Sequence, residues 1–158
     1  MIHLRVMSIP PSVNNAYFQR GKLRVLTTAG KKYKRETASF LQENYRKEMM
    51  LFQKNHQYML YFRFHLESIQ NKNWKDATSK ANRYKKFDGG NLCKLLEDCL
   101  ADAGGIDDSQ TITSIWNKRA TSGPEMTEIW CWDLDRERDP FDIGQRGGGF
   151  DHREHAHP

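Results

Sequence analysis

From Tyr58 to Leu66 the chain alternates between two faces. Tyr58, Leu60, Phe62, Phe64 and Leu66 fall on one, Arg63 and His65 on the other. A period of two with one apolar face predicts a half-buried strand. From Asn91 to Ala103 the period changes: Leu92, Leu95, Leu96, Cys99, Leu100 and Ala103 share one face at helical spacing. This predicts an amphipathic helix, with Asn91 as its N-cap and Gly104-Gly105 as its stop. A second helical pattern follows Thr27 or Thr28, either of which can cap it, and runs through Tyr33, Phe40, Leu41, Tyr45, Met49 and Phe52. Residues 3–8, 23–26, 111–119 and 125–134 read as strands. Pro10 to Asn15 reads as extended and turn-like, and Arg20-Gly21-Lys22 as a turn. Residues 67–87 are polar, without a period, and read as a long loop. The order β, α, β, α, β, β predicts an α+β domain with a mixed sheet and two main helices packed on it. That domain is expected over residues 1–134. Residues 135–158 hold Gly147-Gly148-Gly149 and little apolar content, and are expected to be a disordered tail.

A chain of 158 residues suits one such domain. No apolar run approaches the roughly 18 residues that cross a bilayer, and Met1 to Val6 has no signal-peptide layout. Cys93, Cys99 and Cys131 lack the spacing of a zinc site or a disulfide framework. Cys99 falls on the apolar helix face as a small hydrophobe. These features fit a cytoplasmic protein with reduced thiols. No phosphate-binding glycine loop is present, which argues against a nucleotide cofactor.

Charge is segregated along the chain. Residues 1–132 hold 21 basic and 13 acidic residues, a net of +8, and the remainder is net −3. Tyr17 to Arg35 contains Arg20, Lys22, Arg24, Lys31, Lys32, Lys34 and Arg35 and no acid. Asn71 to Phe87 contains Lys72, Lys75, Lys80, Arg83, Lys85 and Lys86 against the single Asp76. A lone charge cluster is ordinarily solvated surface. Two clusters interleaved with Tyr17, Phe18, Trp74, Tyr84 and Phe87 point instead to a polyanion. Trp74, inside the second cluster, could stack on an unpaired base. Trp116, Trp130 and Trp132 read as core or dimer interface, and His65 as a satisfied surface histidine. His152, His155 and His157 read as solvated tail rather than a metal site.

The helix from Asn91 is bracketed by two acidic stretches, Asp88-Gly89-Gly90-Asn91-Leu92-Cys93-Lys94 and Asp107-Asp108-Ser109-Gln110. If the chain folds back through a neighbouring strand, carboxylates from both ends can meet beside Lys94. Carboxylates within ~4–6 Å of each other repel unless a cation sits between them. Mg²⁺ takes oxygen ligands, keeps several waters and lowers the pKa of an attacking water. A nearby lysine can stabilise charge developing on a phosphate. Taken singly, each stretch can equally be a cap or a turn.

Together the stretches resemble the RusA-type Holliday junction resolvases. That family shows Asp-x-Asp-Asn-Leu-x-Lys, a helix with Leu-x-Asp-x-Leu, then Asp-Asp-Ser/Ala-Gln and a strand. Here stand Asp88-x-x-Asn91-Leu92-x-Lys94, Leu96-x-Asp98-x-Leu100 and Asp107-Asp108-Ser109-Gln110. Pro10-Pro11-Ser12 with Asn14-Asn15, followed by an aromatic, a basic turn and a helix, matches the family's opening segment. The resemblance covers about residues 3–132. It implies a homodimeric, Mg²⁺-dependent endonuclease, with Mn²⁺ as a substitute, acting on branched four-way DNA in a prokaryotic or phage-infected cytoplasm. Asp88, Asp108 and Lys94 carry over as catalytic residues, with Asp88 and Asp108 on the metal. The basic residues 20–35 and 72–86 would bind the DNA backbones.

The family's second aspartate is Gly90 here. Three explanations compete. Asp107 supplies the missing metal ligand, Asp76 reaches over from the basic loop, or the protein binds junctions and cuts them poorly. Asp107 comes first because it adjoins a carried-over ligand. Two alternatives to a nuclease follow: a junction-binding module with weak or no cleavage, and a general single-strand nucleic-acid-binding protein.

Overall fold

The computed structural model describes residues 1–11, 13–78, 80, 82–84 and 89–141, leaving aside the side chains of Val13, Asn14, Arg24 and Asn91. Asp88, Lys85, Lys86 and residues 142–158 of the expected tail therefore lie outside the described residues. The elements are β1 (Ile2–Val6), α1 (Val13–Ala16), β2 (Tyr17–Arg20), β3 (Leu23–Leu26), α2 (Thr28–Asn44), α3 (Arg46–Met49), β4 (Tyr58–Leu66), α4 (Gly89–Gly104), a 3-10 turn (Asp108–Gln110), β5 (Thr111–Ala120) and β6 (Met126–Asp133).

The architecture is α+β. One four-stranded sheet has the order β1-β6-β4-β5, and β2 pairs with β3 in a separate hairpin. β6 lies antiparallel to both β1 and β4, whereas β5 runs parallel to β4, so the sheet is mixed. Parallel neighbours need a long crossover, and α4 supplies it.

The period-two face of β4 is the centre of the core. Tyr58, Leu60, Phe62 and Phe64 pack with Leu4 and Val6 of β1 and Ile129 and Cys131 of β6. Leu41 of α2 and Leu92, Leu96 and Leu100 of α4 close over them. Truncating a fully buried ring such as Phe62 costs about 3–5 kcal/mol. Cys99 is fully buried, and burial pushes its thiol up to about 12, so it is an inert core group.

Local chemistry sets the element ends. Thr27 caps α2, its hydroxyl accepting from the Gly30 amide at 3.1 Å. The helical pattern expected through Phe52 breaks at Tyr45, which leaves helical geometry at φ −129° before the short α3. Gly21, at φ +63°, closes the β2–β3 hairpin, and Gly105, at φ +66°, ends α4. Both are conformations that glycine adopts without a Cβ penalty. Two expectations need correction. Val13–Ala16 forms a helical turn within the segment expected to be extended. Asn91 is not the N-cap: α4 starts at Gly89, so Asn91 is inside the first turn. Packing explains why position 89 is glycine. Gly89 is buried against the indole of Trp116, with which any Cβ would collide.

The face of β4 turned away from the helices is more covered than alternation alone suggests. Trp130 stacks on His3 at 4.6 Å between ring centroids, and the Arg63 guanidinium lies 4.7 Å from the Trp130 ring. Phe141 packs at 6.3 Å against both Tyr61 and Trp132. Trp116 is on the opposite, α4-facing side of the sheet and partly exposed. His65 is satisfied by Glu128 at 2.7 Å.

Candidate active site

The Asp-Asp-Ser-Gln stretch folds into a self-capped turn in which each residue has a separate task. Asp107 is the N-cap: its Oδ1 accepts from the Ser109 amide at 2.9 Å. Gln110 completes the capping box, its Oε1 accepting from the Asp107 amide at 3.1 Å. The Gln110 amide group also donates to the carbonyls of Gln53 and His56, both at 2.9 Å. The turn is thereby anchored to the loop before β4, and Asp108 is left pointing back along α4.

There Asp108 meets Lys94, whose ammonium donates directly to Asp108 Oδ2. The same Nζ lies 3.3 Å from Oδ1 of Asp98, one helical turn further along α4. Asp98 stood in the family pattern but was not among the expected site residues. Its Oδ2 accepts from the Tyr17 hydroxyl at 3.1 Å, so it joins the foot of the basic hairpin to Lys94. The Leu-x-Asp-x-Leu spacing was its signal, but it does not say what the aspartate faces.

Partial burial works against the Lys94 charge, but hydrogen bonds and attraction from Asp108 and Asp98 outweigh it, and Lys94 titrates above its ordinary value. It is therefore a permanent cation near neutral pH, suited to charge stabilisation and not to proton abstraction. Hydrogen bonds from Ser109 hold Asp107 below the ordinary aspartate value. Asp108 and Asp107 offer only oxygen donors and are open to water. That chemistry fits a hard divalent cation that retains part of its hydration.

The other expected residues divide among separate places. Asp76 is exposed in its loop, where Oδ1 accepts from the Thr78 amide at 2.8 Å and its hydroxyl at 2.5 Å. Those bonds depress its pKa. Arg20 and Lys22 are exposed on the β2–β3 hairpin, and Arg24 lies in β3. Lys31 and Lys32 are exposed in the first turns of α2, and Lys34 pairs with Asp102 at 3.0 Å. Lys72, Lys75 and Lys80 are exposed in the loop after β4. Trp74 is half-buried there, with the Arg83 guanidinium 5.0 Å from its ring and 5.4 Å from that of Tyr84. The loop is tied across itself by the Asn71 amide on the Arg83 carbonyl and by a bridge between Gln70 and Tyr84.

A second group of possible metal donors, His56, Asp133 and Asp135, was not anticipated; their ligand atoms lie within 4.8 Å of one another. These donors already have partners. His56 Nδ1 is 2.8 Å from Asp133 Oδ2, Arg136 is 3.6 Å from that oxygen, and Asp135 accepts from the Gln57 amide at 2.6 Å. They tie the end of β6 to the start of β4. No helix among the described residues is long and apolar enough to cross a membrane.

Comparison with known families gives one assignment. A family model described as Endodeoxyribonuclease RusA matches residues 8–129, from the segment after β1 into β6. No curated protein matches the chain.

Proposed function

The chain belongs to the RusA endodeoxyribonuclease family, and we propose that it is a Mg²⁺-dependent endonuclease that resolves four-way DNA junctions by paired nicks. The observation that carries this reading is Lys94, held between the carboxylates of Asp98 and Asp108 at the foot of an exposed basic hairpin. A lone lysine among solvated acids would be unremarkable. Here a cation held above its ordinary pKa lies beside acidic oxygens, on a domain with basic segments that suit phosphate.

Asp88 and Asp108 would hold the metal, with Asp107 adding a ligand or orienting its water. When bound, Mg²⁺ polarises the scissile phosphate and makes water a better nucleophile. Lys94 can exchange its pairing with Asp108 for the phosphate oxygens while Asp98 keeps hold of it, and offset the charge that builds there. The exposed Arg20, Lys22, Lys31 and Lys32, with Lys72, Lys75, Lys80 and Arg83 of the loop after β4, would neutralise the flanking backbones. A homodimer would present two such sites to two strands of a junction, which suits symmetrical nicking in a cytoplasmic setting.

A second reading, a junction-binding protein with weak cleavage, is favoured by one observation: the first turn of α4 carries no acidic residue, and Gly90 is exposed in it. A labelled four-way junction incubated with the protein and Mg²⁺, beside Asp108→Asn, separates the two. Cleavage by the parent alone supports the nuclease. A stable complex without cleavage by either protein supports the binder.

A further inference from the structure

We infer that Tyr17 and Asp98 are positioning residues for Lys94, joining the DNA-facing hairpin to the acidic centre through a chain of side chains; this rests on the nuclease reading above. The chain runs from the Tyr17 hydroxyl to Asp98 Oδ2 at 3.1 Å, from Asp98 Oδ1 to Lys94 Nζ at 3.3 Å, and from Lys94 to Asp108. The two oxygens of Asp98 have different tasks, one for the hairpin and one for the lysine. A lysine side chain has several rotatable bonds, and fixing its head group takes more than one partner. Asp98 is well placed for this, with a side chain only 19% exposed, whereas that of Lys94 is 49% exposed.

Tyr17 can act this way because the backbone beneath it is fixed. It is the first residue of β2 and pairs with Leu26 at the open end of the hairpin. The adjoining Ala16 carbonyl accepts from the Thr27 amide at 2.8 Å, and the Thr27 hydroxyl donates to the Asn15 carbonyl at 2.6 Å. Gly30 packs so closely on the Ala16 carbonyl that a side chain there would collide with it. The hairpin is thus clamped to the start of α2, while Arg20 and Lys22 extend into solvent. A phosphate that draws on the hairpin acts on the element that orients Asp98. Neither Tyr17 nor Asp98 need touch substrate for this.

The test uses the full chain, with Tyr17→Phe, which removes only the hydroxyl, and Asp98→Asn, which keeps the shape and removes the charge. Single-turnover cleavage of a labelled four-way junction is measured with Mg²⁺, with junction affinity measured separately. Loss of one orienting hydrogen bond should slow cleavage about fivefold for Tyr17→Phe. Loss of the Asp98 charge should slow it about 10–100-fold. Affinity should stay within about twofold in both, since no phosphate contact is removed.

A second readout is independent of cleavage. The ε-methylene protons of Lys94, assigned by their disappearance in Lys94→Arg, should give two resolved NMR signals in the parent and one averaged signal in Asp98→Asn. Unchanged cleavage constants and unchanged Lys94 signals in both variants would overturn the positioning role. If the parent binds junctions without cutting them, the nuclease reading fails. The Lys94 signals then decide the positioning role alone: averaging in Asp98→Asn supports it, and retained splitting refutes it.

Discussion

Lys94 on α4 and Asp108 in the 3-10 turn stand fourteen residues apart in the chain and form a direct ion pair. The pair exists because α4 ends at Gly104-Gly105 and the self-capped turn directs Asp108 back along the helix. Both side chains are substantially exposed, so the pair contributes little to stability. Its value is in arranging charge. Asp108→Asn is expected to abolish junction cleavage, by more than about 10²-fold, with affinity retained. Lys94→Ala should lose comparable rate. Single-turnover assays beside gel-shift binding check both, and cleavage by Asp108→Asn at the parental rate would remove Asp108 from the site.

Gly90 stands where the family pattern carries an acid, and it is exposed in the first turn of α4. Gly90→Asp should raise cleavage several-fold and lower the Mg²⁺ concentration needed for half-maximal rate. With Mg²⁺ present to offset repulsion among the gathered carboxylates, it should also stabilise the helix by about 0.5–1 kcal/mol, because an anion near a helix N-terminus is favourable and glycine is a poor helix former. Mg²⁺ titrations of activity and thermal melts read the two effects separately. Unchanged activity with raised stability would mean that the missing carboxylate is already supplied from elsewhere.

Glu128 is buried on the open sheet face among His65 at 2.7 Å, Arg5 at 3.3 Å, His3 at 3.5 Å and Arg63 at 3.6 Å. Burial raises its pKa, but the His65 hydrogen bond and the surrounding positive charge prevail, and it titrates below the ordinary glutamate value of 4.5. A carboxylate depressed in the folded state contributes stability that is complete above the unfolded value and fades as pH falls through the folded one. Glu128→Gln should therefore cost about 1–3 kcal/mol at neutral pH. It should also flatten the loss of stability below about pH 4.5. Urea unfolding at several pH values tests this, and parallel parent and variant curves through the acid range would refute it.

Gly30 illustrates a close approach that composition does not reveal. A Cβ there would meet the Ala16 carbonyl, which is backbone and cannot rotate away. Gly30→Ala should destabilise the protein by about 1–3 kcal/mol, although alanine is the better helix former. It should also loosen the hairpin foot, so that hydrogen exchange at the Thr27 amide quickens. A gain in stability would show that α1 and α2 can separate freely.

Much of this protein was legible in the chain because the relevant physics is local. The period-two run gave β4 its observed bounds, Tyr58–Leu66, and the helical face of α4 was read almost to its ends. Turn chemistry placed Gly21 and Gly105, where only a residue without a Cβ is comfortable at positive φ. The two acidic stretches marked the candidate site, and the expected meeting of Lys94 with Asp108 is present in the fold.

Only tertiary structure decided the rest. The need for glycine at position 89 comes from the Trp116 indole, on a strand further along the chain. The contact of Asp98 with Tyr17 spans 81 residues, and the Arg5–Glu128 contact spans 123. Periodicity states which face a residue occupies, but not what arrives opposite it. That is set by β5 lying parallel to β4, β6 lying between β1 and β4, and the hairpin clamped at the start of α2. A hydrogen bond extends about 3 Å, so partners this distant in sequence exist only after packing has fixed the backbone.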